Sequence, residues 1–350
     1  MPMPPSRPRF MRRLRVDVLL LLLVVAGVLM GLRLYGSAGG GEGGVEWLAA
    51  PYAEEEAFTV QQEAHDTLRV DAMPKSGPPV RFLMFNVKNY FVAGEQQRSR
   101  YTSSPKPEEE REAVAEVIAS VRPSVVGLVE IGGPLALEDL RRRLLQRGLD
   151  YPYHYVLTRG GEDRALAVLS MYPMVQNHSQ RDYGLYGQQR RKLLRGILDV
   201  VVRAEDGRLF RVLGAHLKSR VSDDAAAAAS LRQREAHTLA LYIREVMAQQ
   251  PNLPIVVYGD WNDNPSDAAV RILEQGVSNH SALRRIRATD SRGEEWTHYY
   301  RRGNSYNTFD QIFVNTPLRR RMKSADAEGV VDIPAARCAS DHRAVWCELR

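Results

Sequence analysis

The sequence predicts an α/β protein with two mixed β-sheets and helices outside them. Three observations carry that expectation. From residue 80 onward, short β-branched runs alternate with longer stretches of helical periodicity. Two of the runs, 196–202 and 209–215, flank Glu205-Asp206-Gly207, a hairpin signal that does not suit a purely parallel sheet. The apolar runs also end repeatedly in a carboxylate, an amide or an imidazole, and strand tips feeding loops are where sheet enzymes place their chemistry.

Taken in order, residues 81–85 read as a strand ending at Asn86. Residues 107–121 read as a helix, with Ala113, Val114, Val117, Ile118 and Val121 on one face. A strand over 125–129 ends at Glu130, and a helix over 135–147 is closed by Gly148. Strands are expected over 153–157 and 166–169, then the hairpin, whose second strand ends at His216. A long helix covers 225–247. The apolar run 255–258 leads into Gly259-Asp260-Trp261-Asn262-Asp263-Asn264-Pro265, a glycine exit followed by a turn. Alternation along an extended tip puts Asp260 and Asn262 on one side and turns Trp261 away; Asp263 and Asn264 read as turn formers. A short helix over 266–274 and strands over 309–314 and 344–349 complete the chain.

Charge and cysteine content narrow the classes. The 350 residues carry a net charge of +6, but residues 1–36 hold six arginines and one aspartate, a net +5, which leaves +1 for the rest. The basic pI of 9.3 is therefore no argument for a nucleic-acid-binding surface. Residues 18–32 are apolar residues and glycine behind five arginines. That pattern predicts an export signal, either cleaved or kept as a membrane anchor with the body outside the cytosol. Residues 1–36 read as the signal peptide or signal-anchor, 37–79 as a Gly-rich linker and irregular lead-in, and 80–350 as the folded body. Cys338 and Cys347 form no CxxC pair, and a strand between them would carry them beyond disulfide reach, so free thiols are expected. No feature of the sequence points to a protein partner.

The strand-end residues share one chemistry. Carboxylate, amide and water oxygens suit a hard cation such as Mg²⁺ or Mn²⁺ better than a zinc cage does. Such a cation polarises a phosphoryl oxygen, an aspartate takes a proton from water, and a histidine held by an aspartate donates to charge on the phosphate. The set describes metal-assisted phosphoester hydrolysis.

FNVKN (85–89), VGLVEI (126–131), GAHLKS (214–219), GDWNDNP (259–265), FDQIFV (309–314) and SDHRAV (340–345) occur in the order of the motifs of the endonuclease/exonuclease/phosphatase superfamily. The sequence resembles that family across essentially the whole body. The resemblance implies a four-layer sandwich, with two mixed β-sheets packed face to face and helices on both outer sides. It implies Asn86, Glu130 and Asp341 at the metal, Asp260 on the attacking water, and Asn262 fixing that water or the phosphate. It implies Asp310 holding His342 at the scissile phosphate, His216 beside it, and Lys218 and Arg195 as further phosphate contacts. Lys88 departs from the family pattern, where an acid is common, and puts a second metal position in doubt. Trp296, Tyr299, Tyr300 and Tyr306 are candidates for lining the substrate cleft, whereas His65, His154, His178, His237, His280 and His298 belong to no motif. Family substrates run from DNA and RNA to phospholipid headgroups and inositol phosphates. A phosphodiester of nuclease type is expected ahead of a lipid or small phosphodiester, and well ahead of a non-catalytic binding domain.

Overall fold

The computed structural model describes residues 77–95, 104–276, 283–322 and 327–350. Strand β1 (Val80–Tyr90) runs parallel to β2 (Val125–Ile131), with helix α1 (Glu108–Val121) crossing between them. Helix α2 (Pro134–Leu145) precedes the antiparallel pair β3 (Tyr153–Arg159) and β4 (Glu162–Ser170). Strand β5 (Met174–Asn177) and a small ribbon, β6 (Gly184–Leu185) with β7 (Gln188–Lys192), lead to the hairpin β8 (Leu198–Arg203) and β9 (Leu209–His216). The hairpin turns on Gly207, whose φ of 85° suits glycine. Helix α3 (Ala225–Gln249) starts where the Asp224 carboxylate accepts the Ala227 N–H, and β10 (Ile255–Asp260) follows it. Then come α4 (Ala268–Gln275), β11 (Arg284–Arg285), a ribbon of β12 (His298–Tyr300) and β13 (Ser305–Asn307), and β14 (Asp310–Val314). Helix α5 (Thr316–Arg321), β15 (Glu328–Val330), α6 (Ala336–Ala339) and β16 (Val345–Leu349) close the chain.

Two six-stranded sheets result, in the orders β15-β16-β1-β2-β4-β3 and β11-β14-β10-β9-β8-β5. Each has one parallel pair at its centre, β1 with β2 and β9 with β10, and antiparallel neighbours outside it. Alternation sorts the side chains. Phe82, Met84, Val129 and Val168 of one sheet share a core with Val200, Val212, Val256 and Ile312 of the other. Leu83, Phe85, Val126 and Leu128 face outward onto Val117 and Ile118 of α1 and Leu140 of α2. Leu213, Val257 and Phe313 face outward onto Leu239 and Ile243 of α3 and Leu273 of α4. The layers are therefore helix, sheet, sheet, helix, as the sequence predicts.

Tyr258 keys the sheets together. Its hydroxyl donates to Ala167 O at 2.9 Å across the interface. Its ring fills the space over Gly127 and Gly214, where an added Cβ would come within 2.6 and 2.5 Å of it.

The elements expected from the sequence all form, with shifted ends. Strand β1 runs five residues past 81–85, and β4 begins four before 166–169. Both cysteines are free, as expected; Cys347 lies within β16 and Cys338 on α6. No helix among the described residues is long and apolar enough to cross a membrane. The apolar segment 18–32, His65 and His280 lie outside those residues.

Candidate active site

The polar strand ends converge where the two parallel pairs finish. Asp260 is the centre. It ends β10, pairs in register with His216 of β9 on one side and Asp310 of β14 on the other, and is 2% exposed. Its Oδ2 accepts from Asn86 Nδ2 at 3.0 Å, across the gap between the sheets. Its Oδ1 accepts the Asn262 N–H at 2.9 Å. Burial, opposed chiefly by His342, raises its pKa above the ordinary carboxylate value.

His342 faces the same oxygen, with Nε2 at 3.9 Å from Asp260 Oδ2. Its Nδ1 lies 2.7 Å from Asp310 Oδ2. Burial favours the neutral imidazole, but Asp310 first, then Asp260 and Asp341, outweigh it and raise the pKa to about 10. His342 therefore carries a proton at neutral pH. His216 is the opposite case. It lies 3.5 Å from Asp260 Oδ2, yet burial, then Arg195 and His342, push its pKa well below 6.5 and keep it neutral.

Glu130 enters from β2. Its Oε1 lies 3.9 Å from His216 Nε2, and its Oε2 accepts the Asn89 N–H at 3.1 Å. Asp341 is held by Lys88, Nζ to Oδ2 at 3.1 Å, and its Oδ1 lies 4.0 Å from His342 Nε2. Burial would raise the Asp341 pKa, but His342 and Lys88 lower it.

A cation can be tested against this donor set. Asp260, Asp310 and His342 present ligand atoms within 4.8 Å of one another. However, Asp310 and His342 are already hydrogen-bonded, and a cation between them would break that pair. Glu130, Asn86 and Asp341 offer the oxygen donors that a hard divalent ion takes, with Asn86 Oδ1 accepting the Lys88 N–H at 3.0 Å and Glu130 Oε1 and Asp341 Oδ1 turned toward the histidines.

The structure also places the remaining expected residues. Asn262 does not continue the strand alternation: its φ is 50°, and its Nδ2 donates to Leu217 O at 3.1 Å, leaving Oδ1 as the free end of the amide. Asn86 is inside β1 rather than at its end. Arg195 is buried, donating to Leu217 O at 3.4 Å and lying 3.6 Å from Glu162. Lys218 turns its Nζ to Val221 O at 3.1 Å. Neither basic group donates to Asp260, Glu130 or His216. Trp261 is fully buried and donates to Gln311 O at 3.2 Å. Asp263 is more than a turn former: it is 4% exposed, accepts from Arg232 Nε at 2.7 Å and from the Ala269 N–H of α4 at 3.1 Å.

Two neighbours escaped sequence reasoning. His298 of β12 bridges to His342, with ring centroids 4.5 Å apart, and burial followed by His342 lowers its pKa to about 4. The aromatic cluster at 296–306 was the only signal that this ribbon joins the site. Arg164 of β4, 3.5 Å from Glu130 Oε2, gave no signal within an ordinary strand pattern.

Two facing mixed sheets with amide, carboxylate and imidazole groups at one end define an α/β-sandwich of the phosphoesterase class. The chain belongs to the Endonuclease/Exonuclease/phosphatase family, whose model matches residues 85–342. Members of that family are divalent-metal-dependent hydrolases of phosphoester bonds. Among solved structures, the fold is similar to the human Nocturnin catalytic domain at TM-score 0.55 and 17% identity, over 78% of this chain and 94% of that one. It is similar to Caenorhabditis elegans TDP2 at TM-score 0.53 and 16% identity, over 77% and 97%. It is also similar to beta toxin from Staphylococcus aureus at TM-score 0.52 and 15% identity, over 77% and 99%. No curated protein matches the sequence.

Proposed function

We propose that this chain is a divalent-metal-dependent phosphodiesterase of nuclease type, hydrolysing its substrate by attack of water. One observation carries the reading: Asp260 and the Asp310–His342 pair face each other 3.9 Å apart, a buried carboxylate beside an imidazolium held by a second carboxylate. Asp260 is oriented by Asn86 and by the Asn262 amide, and burial makes it a stronger base than an exposed carboxylate. It takes the proton of the attacking water. His342 donates from Nε2 to the charge that grows on the phosphate, and Asp310 fixes its ring and its charge. Neutral His216 supplies a further hydrogen bond at the same oxygen. Asn262 Oδ1 aligns the water. Glu130 and Asp341, with Asn86, would hold Mg²⁺ or Mn²⁺, which would supply Lewis-acid polarisation of a phosphoryl oxygen. The arginine-flanked apolar run 18–32 supports reading the body as lying outside the cytosol, tethered or exported.

The test is turnover of bis(p-nitrophenyl) phosphate by the purified chain, with and without Mg²⁺, beside the Asp260→Ala variant. Metal-dependent release of nitrophenolate that Asp260→Ala abolishes, with circular dichroism unchanged, supports the reading. Full rate in that variant defeats the assignment of the base. No turnover of this ester, of nucleic acid or of phospholipid defeats the enzyme.

A further inference from the structure

A cavity of about 810 Å³ opens from Lys88 and Asp341 at the edge of the hydrolytic centre, and the rest of its lining has no part in that centre. One wall is aromatic. Trp296 meets Tyr306 edge to face at 4.9 Å, and Tyr306 meets Tyr299 at 4.9 Å. The wall is fixed to the site, because the Tyr299 N–H donates to Asp341 O at 3.0 Å. Even so, Tyr306 is 58% exposed and Tyr300 43%. Of the six large apolar side chains exposed among the described residues, three, Tyr300, Tyr306 and Val221, line this one cavity. Aromatic surface left open in a single cleft marks a binding site.

The rest of the lining fixes the chemistry of the occupant. Arg301, Arg302 and Arg337 are exposed in the cavity and have no carboxylate partner among the described residues. By contrast, Arg292 and Arg343 are paired to Asp290, and Lys88 to Asp341. A choline-type headgroup does not suit these walls. The Arg343 guanidinium already lies 4.2 Å from the centre of the Trp296 ring, and the free arginines repel a cation. An inositol phosphate would satisfy the arginines and leave the tyrosines open. A flat base with a phosphate beside it satisfies both.

Resting on the phosphodiesterase reading above, we propose that the cavity binds the nucleotide next to the scissile phosphate of a single-stranded nucleic acid. The base stacks on Tyr306, the more exposed of the two tyrosines, and the flanking phosphate meets Arg301 and Arg302. A base can reach a tyrosine face only when it is unpaired, so the cavity favours single strands and frayed ends over duplex.

Two measurements on the full chain test this. The first is the ratio of kcat/KM on a ten-residue oligothymidylate to kcat/KM on bis(p-nitrophenyl) phosphate. Tyr306→Ala lowers that ratio about tenfold, by loss of one stacking platform, and Tyr306→Phe restores it. Arg302→Ala makes the salt dependence of oligonucleotide binding in EDTA shallower, by about 0.7 in the log–log slope. The second uses Cys338, which is exposed in the cavity lining, whereas Cys347 is buried. The dinucleotide pTpT, in EDTA, slows the reaction of Cys338 with a thiol reagent. An unchanged ratio in Tyr306→Ala overturns the proposal. So does protection of Cys338 by phosphocholine, phosphatidylcholine vesicles or an inositol phosphate but not by pTpT. Absence of bis-ester turnover in the unaltered protein would instead defeat the reading of the catalytic centre, and protection by pTpT would uphold the cavity all the same.

Discussion

Replacing Asp310 by asparagine removes one charge and keeps the shape of the side chain. In the native protein His342 Nδ1 lies 2.7 Å from Asp310 Oδ2, with the two residues 7% and 1% exposed. Burial favours the neutral ring, and Asp310 is the main reason that the pKa nevertheless stands at about 10. Without the carboxylate, the pKa falls toward the ordinary imidazole value near 6.5. At pH 8.5 His342 then passes from charged to neutral. Loss of one charged donor aimed at a developing phosphate oxyanion costs on the order of 10²–10³ in kcat. The assay is kcat/KM on bis(p-nitrophenyl) phosphate at saturating Mg²⁺ from pH 5 to 10. The native alkaline limb lies near pH 10, and in Asp310→Asn it moves down by several pH units. Stability carries the same signature. A folded pKa above the unfolded value contributes stability that is complete below pH 6.5 and is lost as pH rises to about 10. The native Tm therefore declines across that window more steeply than the variant's. A folded Asp310→Asn protein with the native rate at pH 8.5 and an unmoved alkaline limb would refute the reasoning.

Other substitutions test the fold and the metal. Gly127→Ala puts a Cβ 2.6 Å from the buried Tyr258 ring and should cost about 1–3 kcal/mol by overpacking; an unchanged Tm means the sheets are not keyed there. Asp199→Ala strips the buried Arg211 guanidinium of its carboxylate, with contacts at 2.8 and 2.6 Å, leaving it only Gln250 Oε1 at 3.1 Å, and should cost about 3–5 kcal/mol in a urea melt; a loss within error of zero contradicts the pairing. Glu130→Gln should raise the Mg²⁺ concentration for half-maximal rate by on the order of tenfold or more without lowering Tm. EDTA should abolish turnover, and Mg²⁺ or Mn²⁺ should restore it.

Much of the fold was legible because its central strands are buried and long enough to show a pattern. Residues 82–85 and 125–129 feed two cores at once, so both faces are apolar and the runs stand out. Helix α1 was legible from the spacing of Val114, Val117 and Ile118 on one face. Strands β5, β11, β13 and β15 were not, because each has two to four residues and exists through its neighbour's register rather than through a period of its own. The Glu205-Asp206-Gly207 turn was legible because a two-strand hairpin concentrates its signal in a few residues.

The site residues were legible as types, but their directions were not, and Glu130 shows why. In β2, Val126 and Leu128 face the helices while Val125 and Val129 face the other sheet. Strict alternation would aim Glu130 into the apolar layer beneath α1 and α2, where an unpaired carboxylate is costly. The chain avoids this with a bulge. Val129 pairs with Leu166 and Ile131 with Ala165, so Glu130 is the extra residue, held at φ 65°. Ile131 then takes the helix-facing place, and Glu130 turns toward His216 and the Asn89 N–H. Strand β1 deviates at the same level: Asn86 pairs with Val129, and the next register point is Tyr90 with Ile131, past left-handed Lys88 and Asn89. A left-handed glutamate costs about 1–2 kcal/mol relative to an ordinary strand residue. Nothing in the packing of Ile131 or Tyr90 requires that cost, since an uninterrupted strand could bury an apolar residue at 130. The strain is accounted for by what it positions, a carboxylate lifted out of the core and presented beside Asn86, His216 and Asp260.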